Sequence, residues 1–307
     1  MVRPRRSLHG WLLTGAAIIC CACTDEQSKG PATASPPEVP AQVTAAWLAG
    51  HLPLGWFNQV NFDFARYSQN ATAAAISECM LNEGFTYRGP TLGAATIPIR
   101  SFGLLPDEDW TYGGAFGPAS EPADLAGIVI DAGPDASDAA QTAYDLALHG
   151  ADARLNEVTS EVGSVIGTVI VSDGCVSEAQ SRVFGGSEEF VAATSLYLDL
   201  QVAVLDLQAR VESASDVVAA DNRWKGCMEA QGFMFSGPMD GFEYDWSSNP
   251  LNLDEREVAA QDRECKLQVD WIRSRFDAQY REEAALVEAR GDDFKELRAI
   301  AVRLASS

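Results

Sequence analysis

The chain has 307 residues, with 44 acidic and 22 basic side chains and a formal charge of −22 at neutral pH. A field of that sign repels nucleic acid and anionic headgroups, and no Lys or Arg cluster interrupts it, so nucleic-acid binding is excluded; cationic peptides, cationic small molecules and divalent metals stay open, as does a solubility role for the acidic surface. The length allows one large core or two modest ones without dependence on staples.

Arg3, Arg5 and Arg6 precede an apolar run from Trp11 to Cys20, the layout of an export signal. The run is too short to cross about 30 Å of hydrocarbon comfortably, and Asp25 and Glu26 soon follow. Its end resembles a bacterial lipobox, with residues 1–22 as the signal peptide and Cys23 as the lipidated first mature residue. Cys23 is preferred because Ala22 before it is small, whereas Cys20 follows Ile19 and Cys21 follows Cys20. Cys20 and Cys21 depart from the lipobox pattern, standing where an aliphatic and a small residue are expected. The resemblance implies an exported protein held by palmitate-type acyl chains at the outer face of the bacterial cell membrane or in the envelope; simple secretion is the alternative. Residues 23–40, with Pro31, Pro36, Pro37 and Pro40, form a disordered tether. Loss of Arg3, Arg5 and Arg6 leaves 19 basic against 44 acidic residues, a formal charge of −25.

Residues 41–307 are expected to fold as a mainly helical domain, with two intertwined units at about 41–186 and 187–307 as its possible division. A helix over 64–83 stops at Gly84, after which Phe85 and Tyr87 alternate with polar residues as a short extended segment and Gly89-Pro90 turns the chain. Prolines and glycines interrupt residues 91–134, a long connection whose Trp110, Tyr112 and Phe116 either contact a ligand or anchor the loop. A helix follows over 135–149, stopped by Gly150, and a short one over 175–183 before Gly185-Gly186. Ser187 is expected to cap the next helix, which runs to 212 or breaks at 213–215, with Glu188 and Glu189 suiting its positive end. Asp254 and Glu257 make a capping-box pair flanked by the staple residues Leu253 and Val258. The stripe Val258, Cys265, Val269, Ile272, Phe276, Tyr280 and Val287 then predicts one helix of about 36 residues to Arg290, with Arg273, Arg275, Arg281, Glu282 and Glu283 on its wet face, a break at Gly291 and a resumption over 292–304.

A patch occurs twice: Cys79-Met80, Gly84-Phe85, Tyr87 and Gly89-Pro90 recur at the same spacing as Cys227-Met228, Gly232-Phe233, Phe235 and Gly237-Pro238. Four cysteines lie beyond the lipobox, Cys79, Cys175, Cys227 and Cys265, an even number that favours disulfides in an exported chain. Each patch cysteine has an aspartate-preceded cysteine downstream, Asp173-Gly174-Cys175 and Asp262 before Cys265. Pairing within repeats gives Cys79–Cys175 and Cys227–Cys265, each stabilising by about 4 kcal/mol on chain-entropy grounds. A zinc site built from the same cysteines is the metal alternative, disfavoured because no close Cys-x₂₋₄-Cys pair exists.

The residues that carry a binding reading are aromatic and acidic: Tyr87, Trp110, Tyr112, Trp224, Phe235, Asp240, Glu243, Tyr244, Asp245 and Trp246. If the two patches line one groove, this set offers a cationic group or a glycan face a surface; otherwise the aromatics are core. The alternating carboxylates at 240–245 lack the calcium-loop ligand order. His9, His51 and His149 fall in no catalytic motif, and no nucleophile elbow, phosphate loop or cofactor fingerprint occurs. A carboxylate pair such as Glu78 and Asp262 keeps a glycan- or peptide-cleaving envelope hydrolase open. The motifs Glu78-Cys79-Met80, Gly84-Phe85-x-Tyr87 and Ala260-x-Asp262-x-x-Cys265 resemble uncharacterised exported lipoproteins of high-GC bacteria over most of the mature chain, which implies a location and not an activity. The expectation is a non-catalytic envelope lipoprotein with a structural or binding role, anchored by lipid and facing an envelope protein, a cationic peptide or a glycan.

Overall fold

Both duplicated patches are helix ends closed by the same hydrogen bonds. The computed structural model describes residues 35–40, 43, 45–94, 129, 131–133, 136–152, 154–159, 165–171, 173–244, 246, 248 and 251–306. Helix α1 (Ala45–His51) precedes α2 (Phe57–Asn82), at whose end Gly84 N–H donates to Leu81 O and Phe85 N–H to Met80 O. At the second patch Gly232 N–H donates to Glu229 O and Phe233 N–H to Met228 O. Gly84 and Gly232 sit at φ of 85° and 90°, where a Cβ is disfavoured, and each glycine lets two otherwise orphaned carbonyls be satisfied. Met80 and Met228 are fully buried beneath the half-buried Phe85 and Phe233.

The chain is mainly helical, and its disulfides are Cys79–Cys175 and Cys227–Cys265, with Cα–Cα separations of 5.5 and 5.7 Å. All four cysteine sulfurs are thereby consumed, which overturns the zinc alternative. The pins are not equivalent. Cys175 opens α4 (Cys175–Phe184), whereas Cys265 lies in the last turn of α8 (Glu255–Gln268). The preceding aspartates differ as well, since Asp173 is exposed and Asp262 fully buried.

Several elements depart from expectation. Helix α2 starts at Phe57 instead of 64, because Phe57 and Phe64 are both buried on its inner face and nothing between them stops a helix. Helix α3 (Asp138–His149) starts three residues late, where Ser137 accepts the Ala140 N–H. Between α3 and α4, where no element is expected, β1 (Arg154–Thr159) and β2 (Val165–Val171) pair antiparallel, Arg154 opposite Val171. Ser187 is the first residue of α5 (Ser187–Ser213) and not its cap; its hydroxyl meets Ser181 instead, and extended Gly186 precedes the helix. The alternative break near 213–215 is present: Ala214 is extended and separates α5 from α6 (Ser215–Ala230).

The largest correction concerns the C-terminal helix. Asp254 caps α8 as expected, accepting the Arg256 and Glu257 N–H groups at 2.9 and 3.1 Å. The helix then ends at Gln268, and α9 (Trp271–Ala305) begins after Asp270, which adopts a left-handed φ of 56°. This turn brings α8 against α6 and α9 and places Cys265 opposite Cys227. The later break is a kink at Arg290, not a stop at Gly291.

Among the described residues three apolar clusters form the interior. One joins Leu48 and Leu52 to Trp224, Met228, Val258, Trp271 and Phe276. A second joins Phe57 and Phe64 to Leu200, Leu207, Val211 and the C-terminal half of α9. A third gathers Ile76, Met80, Tyr144 and Cys175 around the first disulfide. By length and composition α5 is apolar enough to cross a membrane, yet Leu200, Leu207 and Val211 are fully buried in the second cluster.

Candidate functional site

The structure divides the aromatic set. Trp224 and Phe235 are buried in the first cluster, and half-buried Trp246 packs against it. Tyr87 belongs to the third cluster, where burial pushes its hydroxyl above the ordinary tyrosine range. Each patch therefore closes its own core. Tyr244 and Trp246 lie with ring centres 4.5 Å apart on the segment after α7 (Asp240–Glu243). Their polar atoms serve the local fold: Trp246 Nε1 donates to Gly241 O at 2.7 Å, and Tyr244 Oη accepts the Leu251 N–H at 2.9 Å. Asp240 accepts the Ser236 N–H. Glu243 ends α7, while Trp110, Tyr112, Phe116, Asp245 and Cys23, the residue expected to carry lipid, lie outside the described residues.

The carboxylates Glu78 and Asp262 do not converge. Glu78 is exposed beside the first disulfide and pairs with Arg182 at 2.7 Å. Asp262 is fully buried under the second disulfide; it accepts Trp224 Nε1–H at 2.8 Å and Lys266 Nζ–H at 2.8 Å. Lys266, equally buried, lies 5.0 Å from the centre of the Trp271 ring, whose Nε1–H donates to Asp221. This network spends its hydrogen-bonding capacity on joining α6, α8 and α9.

A different buried carboxylate faces a space. Glu283, expected on the wet face of the C-terminal helix, is only 4% exposed, and Arg275 is also largely covered. The reason is that α9 packs against α2, α5, α6 and α8, which leaves it a narrow solvent face. Glu283 Oε2 accepts the Leu54 N–H at 2.7 Å and Oε1 accepts the Gln279 amide at 2.6 Å. Removal from water pushes its carboxyl above the ordinary value near 4.5, more than those two hydrogen bonds lower it. Gln279, one turn earlier, is 7% exposed, and its Oε1 has no hydrogen-bond partner.

Both side chains line a cavity of about 40 Å³. The turn before α2 supplies Leu54, the start of α2 supplies Phe57 and Asn58, and α5 supplies Val204, Leu207 and Gln208. The space accommodates about three water-sized groups, and an acceptor without a donor stands in its wall. The sequence carried one signal for it: Phe276, Gln279, Glu283 and Leu286 follow the three-and-four spacing of an apolar stripe, so two polar residues occupy core positions.

Compared with known proteins, the chain matches no family model, no curated protein and no solved structure.

Proposed function

We propose that this chain is an exported, lipid-anchored envelope protein, the location its resemblance to exported lipoproteins of high-GC bacteria implies, and that it has a binding role. The observation that carries the binding role is the cavity between the turn before α2, α5 and α9, because it combines a buried carboxylate, an open amide acceptor and apolar walls. The two disulfides support an oxidising location, where such pairs form and persist. The signal-like N-terminus supports attachment through Cys23, with residues 23–40 as a spacer.

A hydrolase acting on envelope glycan or peptide is the second reading, favoured by the raised carboxyl of Glu283, which is the property a general acid needs. It ranks lower because both Glu283 oxygens already accept bonds from the protein, and because Glu78 and Asp262 are committed to Arg182 and Lys266. Peptide mapping by mass spectrometry on unreduced, membrane-derived protein tests the location. A diacylated or triacylated Cys23 is expected, and an unmodified N-terminus in soluble protein overturns the anchor.

A further inference from the structure

We propose that the cavity bounded by α5, α9 and the turn before α2 is a binding site for a small primary ammonium group. The inference rests on the binding role proposed above and names its ligand chemistry. Glu283 offers negative charge, and among the described residues no cation pairs with it: its partners are the Leu54 N–H and the Gln279 amide. The other polar wall groups, Asn58, Gln208 and Gln279, are neutral. A buried carboxylate in such surroundings is stabilised by a cation that brings its own donors.

The ligand class follows from the acceptors and the walls. Gln279 Oε1 is buried and lacks a donor, and the carboxylate retains lone pairs beyond its two bonds. An ammonium group carries three or four N–H donors, enough to reach both residues. Magnesium demands near-octahedral oxygen ligation and calcium six to eight oxygens, whereas much of this wall is Leu54, Phe57, Val204 and Leu207. A volume of about 40 Å³ holds an ammonium nitrogen with one or two carbons against those side chains. Free short amines and the end of a lysine side chain share this chemistry.

The test uses full-length protein in detergent at neutral pH with ¹³C-methylammonium chloride, Nα-acetyl-lysine amide and, as an ionic control, potassium chloride. Saturable binding of methylammonium is expected, with nuclear Overhauser contacts from its methyl group to Val204 and Leu207, and with at least tenfold weaker binding in Glu283→Gln. Binding of methylammonium alone assigns free amines, and binding of both amine probes assigns a lysine end. A response that potassium reproduces, contacts to other residues only, or no saturable binding overturns the site. The contacts are read on the unsubstituted protein, so the result stands even if Glu283→Gln fails to fold. A negative result leaves lipidation of Cys23 to be decided by mass spectrometry.

Discussion

Lys266 holds its ammonium 2.8 Å from Asp262, with both side chains fully buried. A pair of this kind contributes little net stability against apolar residues of similar volume, but breaking it strands a charge. Lys266→Met is therefore expected to cost about 3–5 kcal/mol in urea unfolding. The double variant Asp262→Leu with Lys266→Met should recover most of that loss, although Trp224 Nε1 then loses its acceptor. Glu283 acts in the opposite sense. Its folded carboxyl titrates above the ordinary value near 4.5, so the native state binds more protons than the unfolded chain between those two values. Stability from this group is fully present below the unfolded value and declines as pH rises through the folded one. Glu283→Gln keeps an acceptor for the Leu54 N–H and removes the titration. In amine-free buffer its stability relative to the unsubstituted protein should increase from pH 4 to pH 7; a constant difference across that range would show that burial does not shift this carboxyl.

At the scale of elements, the two Cys-Met-to-Gly-Phe helix ends were the most legible feature, because a left-handed glycine and its following aromatic are set by a few adjacent residues. Their equivalence is testable. A Cβ added at Gly84 or Gly232 meets nothing within 4 Å, so Gly84→Ala and Gly232→Ala differ from the natural residue only in backbone conformation. Each should cost about 1–2 kcal/mol by chemical denaturation, and a marked inequality would mean that the two caps are not energetically alike. The within-repeat disulfides were legible for a related reason, since each patch comes with one downstream cysteine. The end of α8 was not legible. Val269 and Asp270 contain no glycine or proline, and the apolar stripe continues through them in phase. Tertiary packing against α6 won over that local periodicity, drawing Asp270 into a conformation its own sequence does not announce. The β1–β2 pairing is local, Arg154 to Val171 at its widest, and the β-branched run Val165–Val171 is a strand signal that the expected elements omit; the cavity, by contrast, depends on partners distant in sequence. Glu283 contacts the backbone of Leu54 across 229 positions; its phase with Phe276 and Leu286 marks a core position, but its charge alone argues for water and the α9 sequence does not name the partner.

For the molecule as a whole, the excess of 44 acidic over 22 basic residues sets up self-repulsion that the ion pairs relieve only in part. Lys295–Asp292, whose side chains are 79% and 97% exposed, is of the class that contributes little, whereas Arg290 is better placed between Asp199 and Asp293 at the kink of α9. Screening weakens attraction and repulsion alike, but at close range it leaves covered pairs such as Asp262–Lys266 largely intact while it damps the long-range field of unpaired carboxylates. Raising potassium chloride from about 0.01 to 0.15 M shortens the Debye length from roughly 30 to 8 Å. The melting temperature should therefore rise, by about 2–4 °C for each kcal/mol of repulsion removed. A fall in melting temperature over the same range would mean that surface pairing, not net charge, dominates the electrostatics of the folded chain, and would remove the argument that its acidity matters beyond solubility.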